Sequence, residues 1–151
     1  RPWHKNIGKR LVKSPKVYVR DSGITHALLG LGDKEEILGH PVVGPSWEGF
    51  VIENLLSVAP ERADAGFYRA SGGAEIDLVL TLPDQRVWAI EIKRSLDPKP
   101  ARGFHSGCKD VKPDARFVVY PGDERFSISR NIEAINIDAL AREIAAFSGT
   151  D

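Results

Sequence analysis

The chain has 151 residues with 21 basic and 21 acidic side chains and a hydrophobic fraction of 42%, values that suit one globular domain with a single core. It contains no apolar run long enough for a membrane span and does not open with a signal-peptide pattern, so membrane-spanning and exported classes are not expected. The single cysteine, Cys108, cannot form an internal disulfide, and we expect a cytoplasmic protein.

The charges are distributed unevenly along the chain. Residues 1–20 hold seven Lys or Arg and no acid, whereas residues 21–151 hold fourteen basic and twenty-one acidic residues, a net charge of minus seven. A basic leader can be a nucleic-acid arm or an interdomain linker, and the lack of interleaved aromatic residues favours the linker. Because there is no methionine and the chain starts at Arg1, we expect a piece of a longer polypeptide.

The first predicted elements are short. Residues 1–15 are expected to be irregular, residues 16–20 to form a strand, and Asp21 to cap a helix that ends near Gly30. A turn of helix is predicted at residues 33–38. Ser46 is predicted to cap a longer helix that ends near Ala59.

The second half of the chain predicts a sheet with flanking helices. Strands are expected at residues 66–70, 74–82 and 86–93, then a helix from Asp97-Pro98 that Gly103 and Gly107 weaken. A buried strand at residues 116–120, a strand near residues 134–137 and a final helix capped by Asp138 follow. The order is helix, three strands, helix and strand, with a C-terminal strand and helix, which predicts the α/β class.

One helix is predicted to carry a carboxylate among apolar side chains. Between residues 46 and 59 the apolar residues form one arc at about 100° per residue, and Glu48 projects from its middle. Glu53 projects from the opposite side. A carboxylate in apolar surroundings costs several kcal/mol unless it is paired or binds a metal. The alternative is a residue that only favours the helix dipole, and position alone leaves the two interpretations even.

The hairpin after residue 73 has a predicted register. A three-residue loop, Pro83 to Gln85, pairs Val79 with Ala89 and Asp77 with Glu91, and it matches apolar residues across the two strands. In this register one face of the two strands is fully apolar and consists of Ile76, Leu78, Leu80, Leu82, Trp88, Ile90 and Ile92. The other face should be apolar near the loop and charged at the end far from the loop.

Asp77, Glu91 and Lys93 are predicted to meet at the charged end of this hairpin. Adjacent carboxylates repel one another unless a cation or a shared proton relieves them, and Mg²⁺ prefers such oxygen ligands. Lys93 could orient or deprotonate a metal-bound water, or stabilise charge on a phosphate. A surface charge ladder is the alternative, and it would be favoured for an isolated Glu-x-Lys tripeptide. The addition of an inward Glu48 favours the site.

These residues resemble a known active-site pattern. Helix Glu48, strand Asp77 and Glu91-Ile92-Lys93 are similar to the pattern of the PD-(D/E)xK superfamily of restriction-endonuclease-like nucleases, and archaeal Holliday-junction resolvases are similar in placing a helix Glu before these strands. More closely, the chain resembles the C-terminal domain of a family of prokaryotic AAA-type ATPases. The matching segments, within residues 15–140, are residues 15–24, 47–53, 67–69, 75–77 and 89–95.

The resemblance implies a restriction-endonuclease-like core over residues 16–151, with a central mixed β-sheet flanked by helices. It implies Asp77 and Glu91 as ligands of Mg²⁺ or Mn²⁺ and the Ile92 carbonyl as a third ligand. Glu48 would assist through a water or a second ion, and Lys93 would be the catalytic base or a phosphate contact. The superfamily often has a proline before the Asp, where this chain has Ile76.

The resemblance also implies an ATPase module and a winged-helix segment that would precede this domain, with residues 1–15 as the linker. The chain itself has no phosphate-binding P-loop, because Gly8-Lys9-Arg10 lacks both the leading glycine and the hydroxyl residue. We therefore expect no ATP site in this chain and an ATPase domain in the same full-length polypeptide.

The leading functional prediction is a magnesium-dependent nuclease that hydrolyses a DNA phosphodiester with an activated water. Candidate nucleic-acid contacts are Arg69, Arg94, Lys99 and Arg102, although solvated surface charge is the slightly favoured interpretation of these residues. The net negative charge of residues 21–151 argues against strong nonspecific DNA affinity. The competing prediction is a regulatory or docking domain of the ATPase that keeps the fold without cutting.

Overall fold

The computed structural model describes residues 1–3, 14 and 16–147. Within that part of the chain, the elements alternate as the sequence predicts for the α/β class, with one additional strand, β5. They are α1 (Ser22–Leu28), α2 (Lys34–Gly39), α3 (Val43–Ser57), β1 (Asp64–Arg69), β2 (Glu75–Thr81), β3 (Val87–Ile92), α4 (Arg102–Val111), β4 (Ala115–Val119), β5 (Phe126–Ser129), β6 (Ile132–Ile135) and α5 (Ile137–Ala146).

The strands form a six-stranded mixed sheet in the order β1-β2-β3-β4-β6-β5. Strands β1, β2 and β3 are antiparallel neighbours, β3, β4 and β6 run parallel, and β5 pairs antiparallel with β6. Helices α3 and α5 cover one face of the sheet and α4 covers the other, so each face has its own apolar core. The predicted central mixed sheet flanked by helices is confirmed.

The β2–β3 hairpin has the predicted register. Val79 pairs with Ala89, and the Leu82 N–H donates to the Arg86 carbonyl at 2.8 Å, which closes the three-residue loop. Gln85 adopts a left-handed conformation with φ of 71°, as the last residue of such loops commonly does. The match of apolar residues across the strands therefore specified the register correctly.

A β-bulge in β2 changes which residues share a face. Gly66 of β1 pairs with Val79 and Tyr68 pairs with Ile76, so β2 has one more residue than β1 in this stretch. Ile76 consequently packs into the core under α4, whereas Leu78 packs under α3. The prediction that Ile76 shares a face with Leu78 was wrong, because the bulge interrupts the two-residue alternation.

Helix α4 begins later than predicted and lies unusually close to β2. Asp97-Pro98 does not start it, since Pro100 disfavours helical backbone at the preceding residue, and the first helical residue is Arg102. The glycines that seemed to weaken the helix allow its approach: a Cβ on Gly107 would lie 2.7 Å from Ile76 Cγ1.

The caps of the other helices agree only in part with the prediction. Asp21 and Asp33 cap α1 and α2 as expected. Ser46 is not the cap of α3, because the helix begins at Val43 and the Ser46 N–H already donates to the Val42 carbonyl at 2.8 Å. Asp138 is not the cap of α5 either.

In α5 the capping bond comes from Asn136, whose Oδ1 accepts from the Ala139 N–H at 2.8 Å. The predicted strand at residues 16–20 was also wrong, since these residues are neither strand nor helix. No helix among the described residues is long and apolar enough to cross a membrane.

Candidate active site

The predicted catalytic residues line one cavity of about 640 Å³ at the end of the β2–β3 hairpin. We call it the carboxylate cavity. Glu48 reaches it from α3, Asp77 from β2 and Glu91 from β3, and Lys93 follows β3 directly. Its other side chains with chemistry of their own are Lys16, Tyr18, Arg69 and Glu75.

Helix α3 is joined to the end of β3 by a partly buried hydrogen bond. The Trp47 Nε1–H donates to the Lys93 carbonyl at 3.0 Å, while the Lys93 N–H donates to the Val119 carbonyl at 2.8 Å. These two bonds hold the backbone of Lys93 between α3 and β4. Glu48, next to Trp47 on α3, is thereby held over the same end of the sheet.

The side chain of Asp77, beside the β-bulge, is held by a hydrogen bond from the backbone. Its Oδ2 accepts a hydrogen bond from the Ile92 N–H at 3.0 Å. Burial, together with the neighbouring charge of Glu48, raises the pKa of Asp77 to about 6 against the opposing effects of the Ile92 N–H and Lys16. The Ile92 N–H is thus a contact of the site, and the role of the Ile92 carbonyl that the resemblance implies stays a prediction.

Glu91 is buried, with 5% of its surface exposed, and lies at the start of α4. Ala101 directly precedes the first turn of α4, and its backbone nitrogen lies 3.1 Å from each of the two carboxylate oxygens of Glu91. Lys93 Nζ is 2.8 Å from Glu91 Oε1. A buried carboxylate is thereby satisfied by one backbone donor and one ammonium.

Lys16 is the residue that the sequence prediction missed. Its ammonium is 2.9 Å from Glu48 Oε1, 3.0 Å from Glu75 Oε1 and 3.4 Å from Asp77 Oδ1. Burial alone would lower the pKa of Lys16, but its hydrogen bonds to Glu48 and Glu75 and the charge of Asp77 raise it above the ordinary value. The Lys16 ammonium therefore stays charged among three carboxylates.

Tyr18 reaches the same cluster beside Lys16. Its hydroxyl donates to Glu48 Oε1, and its ring lies against α3 at Gly49, where a Cβ would be 3.3 Å from Tyr18 Cδ1. Burial, with the hydrogen bond to Glu48, raises the pKa of Tyr18 above its ordinary value.

The contribution of residues 16–19 to the cavity was not predicted because the apolar residues of this segment face outward. Val17 and Val19 are 87% and 57% exposed, while Lys16 and Tyr18 point to the cavity. The signal in the sequence was the two-residue spacing of Lys16 and Tyr18, which places both side chains on the same side of an extended segment.

The candidate nucleic-acid contacts divide into two groups. Arg69 lines the cavity, and its Nη2 lies 2.5 Å from Glu75 Oε1. The hydrogen bonds from Arg69 and Lys16 hold the pKa of Glu75 below its ordinary value despite the burial of that carboxylate. Arg94, Lys99 and Arg102 are exposed and are not among the residues lining the cavity.

The chemistry of the carboxylate cavity suits a hard cation. Glu48 and Asp77 each direct an oxygen at the same positive group, the Lys16 ammonium, and carboxylate oxygens are the ligands that Mg²⁺ takes. Within residues 1–3, 14 and 16–147, however, no three His, Cys, Asp or Glu side chains are arranged as a metal site. In this structure the cation among the carboxylates is the ammonium of Lys16.

Comparison with known proteins defines the family of this chain. Residues 43–140 match the model of a family described as a domain of unknown function (DUF4143), so the chain belongs to that family. Residues 1–35 match a second family model, also described as a domain of unknown function (DUF8612).

Two mycobacterial proteins are similar to the chain over most of its length. They are the uncharacterized protein Mb2031c of Mycobacterium bovis and the uncharacterized protein Rv2008c of Mycobacterium tuberculosis, each 39% identical over 140 residues. The match covers 92% of this chain but 31% of each relative, so the chain corresponds to about a third of those longer proteins. No solved structure gives a significant match.

Proposed function

We propose that the chain is a metal-dependent nuclease module of the PD-(D/E)xK type that hydrolyses a DNA phosphodiester. The observation that carries the proposal is the carboxylate cavity itself. Glu48, Asp77 and Glu91, from three different elements, line it together with Lys93. Two of these carboxylates, Glu48 and Asp77, contact the same ammonium of Lys16. Carboxylates gathered in this way are costly unless cations balance them, which supports a site built for cation chemistry.

The proposed metal is Mg²⁺ or Mn²⁺. Asp77 and Glu91 would hold it with the Ile92 carbonyl, and Glu48 would act through a water or a second ion. When bound, the metal supplies Lewis-acid stabilisation of the phosphoryl oxygens and lowers the pKa of a bound water.

The chain's own residues have separable roles in this proposal. Lys93, which lies 2.8 Å from Glu91 in a partly exposed position, would hold or move the proton of the attacking water and contact the phosphate. Arg69, which lines the cavity and is partly exposed, would bind a neighbouring phosphate through its guanidinium. Asp77 must be ionised to act as a ligand, and with a pKa of about 6 it is ionised at neutral pH.

The module would form the C-terminal domain of an AAA-type ATPase. The support is the sequence resemblance together with the length of the mycobacterial relatives, of which this chain covers 31%. The ATPase domain would lie in the same polypeptide, outside this chain, and the setting would be the cytoplasm.

The test is cleavage of single-stranded, duplex and branched DNA with Mg²⁺ or Mn²⁺ by the native chain and by Asp77→Asn and Lys93→Ala. We expect metal-dependent cleavage that falls by about a hundredfold or more in both variants. Asp123→Asn and Lys34→Ala are matched controls, since both residues are exposed and outside the cavity. Cleavage that survives in Asp77→Asn would overturn the proposal.

A second candidate function is a regulatory or docking domain of the ATPase that does not cut. The observation in its favour is Lys16, because its three carboxylate contacts can be a complete structural ion-pair network. In that case no substrate would be cleaved and calorimetry would detect no binding of Mg²⁺ or Mn²⁺. Metal binding that Asp77→Asn abolishes would exclude this candidate.

A further inference from the structure

A second cavity of about 410 Å³ lies at the other end of α4 and is lined by basic side chains. We call it the basic cavity. The α4 residues His105 and Lys109 and the C-cap Lys112 form one side, and Arg116 of β4 and Arg130 of the β5–β6 turn form the other. The remaining lining residues are Cys108, Ser129, Asn131 and Ile132, so no carboxylate lines it.

The cations of the basic cavity have no ion-pair partner in the part of the chain that the structure describes. Among the described residues, no ion pair joins Lys109, Lys112, Arg116 or Arg130 to a carboxylate. The dipole of α4 favours the two lysines at its C-terminal end by under about 1 kcal/mol each. That effect does not account for Arg116 and Arg130, which lie on other elements. Cations gathered in a concave site attract anions.

The floor of the basic cavity is neutral and buried. Cys108 and Ile132 are both buried, and burial raises the pKa of the Cys108 thiol to about 11 although Arg116 lies beside it. The thiol is therefore protonated at neutral pH and adds no negative charge to the cavity.

A row of basic side chains connects the two cavities. Arg102, His105, Lys109 and Lys112 are exposed and follow one another at spacings of three, four and three residues, which places them along one side of α4. The row starts beside the carboxylate cavity, where the Ala101 N–H binds Glu91. A ten-residue helix is about 15 Å long, which corresponds to about four base steps of DNA.

We propose that the basic cavity binds a phosphate group of a nucleic-acid backbone, and that the strand follows α4 from the carboxylate cavity to this second point of attachment. The assignment of the anion as nucleic acid rests on the proposed function; the phosphate site itself does not require cleavage. Each cation of the cavity would displace counterions from the phosphates it contacts, so binding should be salt-dependent.

The test measures binding by fluorescence anisotropy with labelled single-stranded and duplex DNA of about 20 residues in EDTA, between about 50 and about 200 mM salt. The test variant is Lys109→Gln/Arg130→Gln. The matched control is Arg62→Gln/Arg142→Gln, which removes the same charge from exposed positions that line neither cavity. Circular dichroism checks that both variants are folded.

We expect the test variant to bind about tenfold more weakly at the low-salt end and to lose about 1.4 from the salt slope for single strands, whereas the control stays within about twofold of the native chain. Equal weakening in the control, or no DNA binding by the native chain, would overturn the proposal. Pyrophosphate as competitor distinguishes the source of the phosphate: if the native chain binds pyrophosphate but neither DNA, the nucleic-acid assignment is overturned. Because no metal is present, a failure of cleavage does not affect this result.

Discussion

The two cavities at the ends of α4 differ in how their cations are balanced. In the carboxylate cavity, Lys16, Arg69 and Lys93 each form an ion pair with a lining carboxylate. No carboxylate lines the basic cavity. Charges that are paired inside the protein determine local structure and stability, whereas unpaired exposed cations add little to stability and remain available to a ligand. A chain with no net charge can therefore present one anion-attracting surface.

The largest effect expected to sharpen this comparison is the change in folding stability with pH that the ionisation of Asp77 causes. Its pKa is about 6 in the folded chain against an ordinary value of 3.8, so between these values the folded state holds a proton that the unfolded state has lost. Stability should therefore fall as the pH rises through this window, by about 3 kcal/mol for a shift of about two pKa units, and level off above it.

Asp77→Asn removes this titration. Urea denaturation in EDTA between about pH 4 and about pH 7 should show the fall in the native chain, and the free energy of unfolding of the variant should lack that component. Glu75, whose pKa is lowered, has the opposite pH dependence and is present in both proteins, so the difference between the two curves isolates Asp77. Parallel curves would contradict the prediction.

The second effect concerns α4 as the link between the cavities. In Gly107→Val, the new Cβ would lie 2.7 Å from Ile76 Cγ1 and 3.2 Å from the Glu75 carbonyl oxygen, so α4 must move away from β2. We expect a loss of about 2 kcal/mol in the free energy of unfolding. The matched control is Ser106→Val, at an exposed position on the same helix, which should change stability by no more than about 0.5 kcal/mol.

A shift of α4 should affect both cavities together. The Ala101 N–H contact to Glu91 and the α4 side of the basic cavity belong to the same helix. Equal stability of Gly107→Val and Ser106→Val in denaturant titration would show that α4 does not depend on close contact with β2.

The sequence predicted the parts of the structure that follow from local pattern. The three-residue loop and the pairing of Val79 with Ala89 came from matching apolar residues across two strands, and both are present. The convergence of Glu48 with the strand carboxylates followed from its position within an apolar arc. Such features require only neighbours in sequence or one hairpin, whose geometry is well defined.

The sequence did not predict features that depend on distant partners. The bulge beside Asp77 arises from pairing with β1, and β5 is a four-residue edge strand whose residues are mostly exposed, so it has no apolar alternation to reveal it. Lys16 lies 32 and 61 positions from Glu48 and Asp77. Its role becomes visible only when Val17 and Val19 are seen to face outward, against the usual pattern for apolar side chains.

The smallest expected effect comes from replacing a single lysine with glutamine in each of the two cavities. Lys16→Gln leaves Glu48, Glu75 and Asp77 without the ammonium that contacts all three, and should lower the free energy of unfolding in EDTA by about 1.5 kcal/mol. Lys109→Gln, in the basic cavity, removes no ion pair found among the described residues and should change stability by at most about 0.5 kcal/mol.

Addition of Mg²⁺ separates the two roles that Lys16 can have. If its ammonium stands where a divalent ion would bind, Mg²⁺ should restore more stability to Lys16→Gln than to the native chain, because mass action stabilises the state that binds the ion. Thermal denaturation with and without Mg²⁺ measures this difference, with Lys109→Gln as the control. Equal Mg²⁺ effects in all three proteins would mean that the ammonium and the metal do not compete, and that Lys16 is a structural partner of the carboxylates alone.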